Sequence, residues 1–177
     1  YERRVFNAFG NANVALIRNK GIKAGTLLVE AWFRVEVIAP KQLNLNAALP
    51  QLTVRVLLDG EGRDLSSRIT HEMLNKQVQP LEKMTARQVV KMQTEIIANL
   101  YQKVELTAKA ALPDLQAQAQ AQLTESLSTE ISRLKALQTV NASIRDDEIE
   151  QLEQQLAQGI NYLSHIHVVS DALRIII

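Results

Sequence analysis

The sequence contains no cysteine, so disulfide bridges and zinc sites built on thiolates are excluded. Aromatic residues are also scarce, with three Phe, three Tyr and one Trp among 177 residues. Because 46% of the residues are nevertheless hydrophobic, we expect a core built mainly from Leu, Ile, Val and Ala. A cysteine-free chain also fits a reducing compartment, and we expect a cytoplasmic location.

Long apolar runs are missing as well. No stretch of about 18 apolar residues is present, and no signal peptide opens the chain, so we expect no membrane partner. The chain begins at Tyr1 and ends on the apolar run Ile175–Ile177. From these two ends we expect a piece of a longer protein.

The motifs that carry nucleotide or nucleophile chemistry are absent too. The chain has no GxxxxGK[ST] phosphate loop, no GxGxxG and no GxSxG, and its six glycines are scattered. We therefore predict no catalytic and no cofactor-binding residue in this chain, and no site for ATP hydrolysis.

Charge is nearly balanced, with 20 Lys and Arg against 19 Asp and Glu, which by itself points to no polyanionic partner. The two halves differ mildly. Residues 1–80 carry eleven basic and seven acidic side chains, and residues 81–177 carry nine and twelve. This asymmetry is typical of ordinary surface charge, and a basic contact face on the first half stays open beside it.

Alternating apolar residues in the first half predict an antiparallel sheet. Residues 26–39 and 52–58 alternate with period 2, and Asp59–Gly62 has the Asp-Gly chemistry of a hairpin turn. A weaker return strand is predicted near residues 63–70. Residues 14–18 fit either a strand or one helical turn, and we favour the strand.

The longest predicted strand has two different faces. Odd positions from Leu27 to Val37 are all apolar and predict a buried face, whereas the even positions predict a largely solvated one. These even positions are Leu28, Glu30, Trp32, Arg34, Glu36 and Ile38. The last strand, Ala172–Ile177, is apolar on both faces, which favours a central place in the sheet.

The second half has helical periodicity. An amphipathic helix is predicted over about 84–111, followed by a kink or a restart at Pro113. Beyond Pro113, a leucine-rich stripe and the Gln-Ala tract 116–122 predict a further helix. Ser143 can cap the last helix, and the two final helices are predicted to form an antiparallel hairpin, each longer than 20 residues.

Together these patterns predict an α+β fold in one domain, 1–177. A small, mostly antiparallel sheet comes from the first 70 residues plus the C-terminal strand, and it packs with the long helical hairpin. Residues 1–80 form the strand-rich half, and residues 81–177 hold the hairpin and the last strand.

Candidate contact residues are Trp32, Arg34 and Arg55, which lie on the polar faces of the two clearest strands. An aromatic residue flanked by arginines suits a protein hot spot or nucleic-acid stacking, and the pattern also suits a Trp covered by neighbouring helices. His165 and His167 have a spacing that metals use, but no third ligand is evident, so we predict no metal site. The acidic residues 146–153 suit a solvated helix start.

Several runs resemble the C-terminal domain of the RapA family, the bacterial RNA polymerase-associated ATPases of the Swi/Snf type. They follow the family's order along residues 12–177. The matching runs are Ile22–Glu30, Ala39–Leu43, Val54–Asp59, Leu134–Asn141, Ile144–Glu148 and Asp171–Arg174. None is a catalytic motif, so the resemblance is one of domain. Pro113 and residues 162–169 depart from the family's pattern.

The resemblance implies a function that the residues alone do not. Proteins of this family are ATP-dependent DNA translocases whose two RecA-like lobes bind ATP and Mg²⁺. The whole protein binds core RNA polymerase and promotes its recycling. This chain would be an accessory domain without those lobes. Its partners would be the rest of the ATPase and RNA polymerase, and it would contact DNA through the parent protein, in association with the nucleoid. The alternatives are a direct nucleic-acid-binding module and a free-standing dimerisation module that uses the hairpin.

Overall fold

The computed structural model describes residues 12–17, 25–43, 45, 52–141 and 143–177. Within these residues the strands are β1 Ala12–Ile17, β2 Leu28–Glu36, β3 Thr53–Asp59, β4 Val78–Pro80 and β5 His167–Ile176. The helices are α1 His71–Asn75, α2 Lys83–Met92, α3 Thr94–Ala110, α4 Leu112–Gln138 and α5 Asp146–Leu163, with a 3-10 turn at Lys41–Leu43. The α+β class predicted from the sequence is confirmed.

The chain divides into two compact units. The first unit draws on Tyr1–Arg34, Thr53–Ala110 and Val168–Ile177, and it contains the sheet with α1 to α3. The second draws on Val35–Leu52 and Ala111–His167, and it contains the hairpin of α4 and α5. Among the helices that the structure describes, none is long and apolar enough to cross a membrane.

The sheet of the first unit has the order β3-β2-β5-β1-β4 across the described strands. Strand β2 pairs antiparallel with β3, placing Trp32 opposite Arg55, and β1 pairs antiparallel with β4. Strand β5 runs parallel to β1, with Asn13 opposite Arg174. The predicted central position of the last strand is confirmed, and the strand is longer than the sequence pattern indicated.

The main core of this unit lies on the odd face of β2. Burial of these side chains against α2 and α3 removes a continuous aliphatic surface from water, which is the main stabilising contribution to such a layer. Its buried members include Val29, Phe33, Val56, Leu58, Ile97, Leu100, Val104 and Leu173.

The even face of β2 is not largely solvated, so that prediction is wrong at its first two positions. Leu28 is buried in a second cluster with Leu57, Leu74 and Ile176, and Glu30 is only 1% exposed. The physical reason is that the segment after β3 folds over this face, because Leu65, Ile69 and Leu74 of that segment pack against it.

The predicted return strand over residues 63–70 is also wrong. Only one isolated bridge, between Leu58 and Asp64, continues the ladder in this segment. Side chains take some of the backbone hydrogen bonds: the Leu57 N–H donates to Ser66 Oγ at 2.8 Å, and the Ser66 N–H donates to Asp64 Oδ1 at 2.8 Å. Short polar side chains of this kind compete with strand pairing.

The predicted turn at Asp59–Gly62 is confirmed, although no return strand follows it in the described residues 63–70. The Gly62 N–H donates to the Asp59 carbonyl at 2.8 Å, and the Asp59 N–H donates to the Arg63 carbonyl at 3.1 Å. Gly62 has φ of +84°, a left-handed conformation that glycine adopts without the steric cost of a Cβ.

The single helix predicted over 84–111 is two helices. α2 ends at Met92 and α3 begins at Thr94, whose hydroxyl donates to the Val90 carbonyl at 2.8 Å. Hydroxyl bonding to a carbonyl four residues back favours a local bend in a helix. The apolar stripe continues across the break, since Val90, Ile97 and Leu100 all face the main core.

The second unit contains the predicted antiparallel hairpin. The helix restarts at Leu112 with Pro113 in its first turn, where a missing N–H costs little, as predicted. Lys135 pairs with Glu153 at 2.7 Å, and Gln120 Nε2 donates to the Ile160 carbonyl at 3.3 Å, which fixes opposite chain directions. Helix α4 has 27 residues, but α5 has 18, fewer than predicted.

The predicted cap at Ser143 is wrong. Arg145 occupies the N-cap of α5, and no side chain caps the helix. The Ser143 N–H instead donates to Asn141 Oδ1 at 3.0 Å, because the asparagine side chain closes its own turn within the connection. Asp146, Asp147 and Glu148 do lie in the first turn of α5, as predicted.

Candidate partner-contact site

A buried carboxylate lies beneath the predicted contact residues. Glu30 sits on β2, and its Oε1 accepts a hydrogen bond from Arg55 Nε at 2.6 Å. Arg174 of the neighbouring strand β5 brings its Nη1 to 3.5 Å from the other oxygen of the same carboxylate. A buried charge is tolerated when ion pairs and hydrogen bonds compensate its lost hydration, and Glu30 has both.

The tautomer of His71 follows from the hydrogen bonds around it. Asn75 accepts from Arg174 Nη1 through Oδ1 at 2.6 Å, so its Nδ2 is the atom that donates to His71 Nε2, 2.8 Å away. His71 Nε2 is therefore an acceptor, and Nδ1 carries the proton that it donates to Glu30 Oε1 at 2.8 Å. Five side chains thus form one connected network.

Arg55 is held from both sides. Besides its bond to Glu30, its Nη1 donates to the Ile69 carbonyl at 2.8 Å. Its side chain is mostly buried, and it ties the segment after β3 to the even face of β2. Arg55 was predicted as a contact residue, but the structure gives its guanidinium a role inside the unit.

Trp32 and Arg34 lie nearer the surface of the same face. Trp32 is half-buried and meets the His71 ring edge-on, with centroids 5.3 Å apart and an interplanar angle of 87°. The Arg34 side chain is 47% exposed, and its Nε lies 3.0 Å from Asp171 Oδ1. Trp32 and Arg55 are direct cross-strand partners, so their side chains share one face of the sheet.

The network can anchor this face, because its buried carboxylate contacts Arg55, His71 and Arg174 together. One carboxylate serves two guanidiniums, and Trp32, Arg34 and His71 form an accessible rim above it. An indole beside a guanidinium and an imidazole suits contact with another protein. Sequence reasoning missed Glu30, His71 and Arg174; the one available signal was a carboxylate between the apolar residues Leu28 and Trp32.

The other chemistry-bearing residues stay apart. Within the described part of the chain, no group of three His, Cys, Asp or Glu side chains is placed to hold a metal ion. His165 lies exposed after α5, and His167 begins β5. The acidic residues of the α5 start are exposed, and Arg145 pairs with Asp147 at 2.9 Å.

Asp59 shows a clear electrostatic shift at the turn after β3. Burial alone would raise the pKa of its carboxyl. Hydrogen bonds from the Arg63 and Glu61 backbone N–H groups, at 2.9 and 3.0 Å, and from Arg63 Nε at 2.7 Å outweigh burial and lower this pKa below its ordinary value. The ionised form of Asp59 therefore stabilises the turn.

Comparison with known proteins identifies the family to which this chain belongs. The chain matches the family described as RNA polymerase recycling family C-terminal over residues 3–177, and it belongs to that family. The chain is also 39% identical over 170 residues to the RNA polymerase-associated protein RapA of Stutzerimonas stutzeri (strain A1501), which covers 96% of this chain and 18% of the relative.

Two further relatives carry the same name. The RapA of Actinobacillus pleuropneumoniae serotype 3 (strain JL03) is 40% identical over 168 residues, covering 95% of this chain and 17% of the relative. The RapA of Haemophilus influenzae (strain PittEE) is 40% identical over 168 residues, covering 95% of this chain and 18% of the relative. This chain therefore spans less than a fifth of the relatives that it matches.

Proposed function

We propose that this chain is the C-terminal accessory domain of a RapA-like, ATP-dependent DNA translocase that binds RNA polymerase and promotes its recycling in transcription. The observation that carries the proposal is the match of nearly the whole chain to one family. Relatives about 40% identical over 95% of this chain are named RNA polymerase-associated proteins.

The motor belongs elsewhere in the proposed parent protein. The relatives are more than five times longer than this chain, since the match covers 17–18% of them. The phosphate-loop sequences that cradle ATP are absent from these 177 residues. ATP and Mg²⁺ would therefore bind outside this chain, and the parent protein would contact DNA through its other domains.

The partner surface that we propose is the rim formed by Trp32, Arg34 and His71. Its side chains are partly exposed, and the buried Glu30–Arg55 pair fixes the strands beneath them. Pre-positioned aromatic and arginine side chains lose little conformational freedom on binding, which favours affinity. Core RNA polymerase or the remaining domains of the parent protein would cover this rim.

The test uses the 177-residue chain itself. Tagged chain is incubated with purified core RNA polymerase, recovered and assayed for retained polymerase, and its ATP hydrolysis is measured separately. Retention of polymerase without ATP hydrolysis is the expected result. ATP hydrolysis by the chain alone would overturn the assignment of an accessory role, and salt-sensitive capture of nucleic acid without polymerase would favour a nucleic-acid-binding module instead.

A further inference from the structure

A concave surface in the first unit shares Asn75 and Arg174 with the network described above, but none of the rim residues Trp32, Arg34 and His71 lines it. It is lined by β1, β4, one face of α2 and single residues of α1 and β5, and its volume is about 710 Å³, within the range of about 300–1,000 Å³ that is typical of ligand pockets. Most of its wall is aliphatic, from Val14, Ala15, Val78, Pro80, Leu81, Ala86 and Val90.

The charged residues that line this cavity all have one sign. Lys83, Arg87 and Arg174 contribute to the wall, and no Asp or Glu is present among the described residues that line it. Lys83 and Arg87 are exposed, and within the described chain neither forms an ion pair. The two residues are four positions apart on α2, so their side chains lie on the same face of the helix and can contact one ligand together.

Arg174 is positioned in advance. Its Nη1 donates to Asn75 Oδ1 at 2.6 Å and lies 3.5 Å from the Glu30 carboxylate. Because Arg55 shares that carboxylate, Glu30 supplies one negative charge for two guanidiniums, and a positive charge remains in excess at this edge of the cavity. Asn75 and Asn13 add amide groups that can donate or accept hydrogen bonds.

The helix α2 adds to the positive field. Lys83 is its first residue, and Glu82 at the N-cap makes no side-chain bond to the first backbone N–H groups. The start of a helix carries partial positive charge, and this one faces the cavity through Lys83, Ala86 and Arg87. Cationic side chains and the helix start therefore favour the same anionic ligand.

We propose that this cavity binds an acidic peptide segment of another protein, one in which carboxylate side chains alternate with aliphatic ones. The carboxylates would meet Lys83, Arg87 and Arg174, and the aliphatic side chains would meet Val14, Val78 and Val90. No aromatic side chain is present among the described lining residues, so the base stacking that single-stranded nucleic acid uses has no platform here. The proposal does not depend on binding to RNA polymerase.

The test is a binding titration of the 177-residue chain with a fluorescein-labelled Glu-Leu-Glu-Leu-Glu pentapeptide, followed by anisotropy. The matched Gln-Leu-Gln-Leu-Gln peptide and a labelled oligothymidylate are the comparison ligands. The double variant Lys83→Gln with Arg87→Gln removes two lining charges. The control double variant Lys91→Gln with Arg68→Gln removes two exposed charges that do not line the cavity.

We expect the acidic peptide to bind, with an affinity that falls as salt rises. The cavity variant should bind it roughly tenfold more weakly, and the control variant within about twofold of the wild type. Equal affinity for the Glu and Gln peptides, or no measurable binding, would overturn the proposal. Tighter binding of the oligothymidylate that is lost in the cavity variant would assign the surface to nucleic acid instead. Urea midpoints of both variants should match the wild type.

Discussion

Glu30 Oε1 and Arg55 Nε lie 2.6 Å apart, and the pair joins the neighbouring strands β2 and β3. The carboxylate is buried beneath Trp32 and His71, and Arg55 extends the link to the Ile69 carbonyl. A charged pair is therefore part of the packing of the second, smaller core of the first unit.

Glu30→Gln removes the charge while it keeps the shape of the side chain. Arg55 and Arg174 would then lose their shared counter-ion in a buried position, and breaking such a pair costs about 3 kcal/mol. We expect the free energy of unfolding to fall by about that amount in urea titration. Glu72→Gln, an exposed carboxylate of the same unit, should change it by less than about 0.5 kcal/mol. Equal effects in both variants would contradict the role of Glu30.

Arg34→Ala and Arg55→Ala should differ sharply in their effect on stability. Arg34 pairs with Asp171 at the surface, where an ion pair contributes at most about 1 kcal/mol. Arg55→Ala, in contrast, leaves the buried Glu30 without its nearest counter-ion. We expect a small change for Arg34→Ala and about 3 kcal/mol for Arg55→Ala by urea unfolding. A stable Arg34→Ala protein with weakened polymerase retention would then report contact at the rim rather than unfolding.

Asp59→Asn should lose stability in a pH-dependent manner. Because the folded pKa of Asp59 lies below its unfolded value of about 4, the ionised form stabilises the folded chain above that pH, and this contribution is lost as pH falls through the folded pKa. At pH 7 we expect the variant to be about 1 kcal/mol less stable. The deficit should shrink toward pH 2 in urea titrations, and a deficit that is constant with pH would refute this role.

Gly159→Val should disrupt the hairpin of the second unit. A Cβ at Gly159 would lie 2.6 Å from Leu123 Cδ2 and 2.9 Å from Leu45 Cδ2, and both leucines are buried. Overpacking at such a site costs about 1–3 kcal/mol, which exceeds the helix propensity that the new side chain gains. We expect lower thermal stability for Gly159→Val and partial recovery when it is combined with Leu123→Ala.

If Leu123→Ala and Gly159→Val instead destabilised the chain additively, the two positions would not be in contact in solution. The exposed variant Gln158→Ala, on the same helix, is the control and should leave the melting temperature nearly unchanged.

Much of the fold follows from local patterns. The alternation over 26–39 predicted β2, although the apolar series is longer than the strand: Leu27 lies before it and Val37 after it. The apolar C-terminal run predicted a central strand because a strand buried on both faces needs no polar side, and β5 is central. Pro113 predicted a kink or a restart because proline disfavours a helix interior but is tolerated in the first turn, and a new helix, α4, begins at Leu112.

The candidate site was less accessible to sequence reasoning. Period 2 assigns Glu30 to the face of Trp32 and Arg34, but the pattern cannot show that the segment with Leu65 and Ile69 covers only the first part of that face. The Glu30–His71 and Glu30–Arg174 contacts join residues that are far apart in the chain, so no local spacing predicts them. At the break between α2 and α3 the Thr94 hydroxyl bonds the Val90 carbonyl, a contact that leaves the apolar stripe undisturbed and so gives no signal in the hydrophobic pattern.

The most direct test of the proposed function is to delete the segment equivalent to residues 1–177 from a full-length relative. The affinity of the deleted and intact proteins for core RNA polymerase is then measured side by side, together with their ATP hydrolysis. We predict that deletion weakens polymerase binding at least tenfold while ATP hydrolysis is retained. Unchanged polymerase binding, or ATP hydrolysis that disappears because this segment carries the catalytic site, would contradict an accessory, polymerase-associating domain.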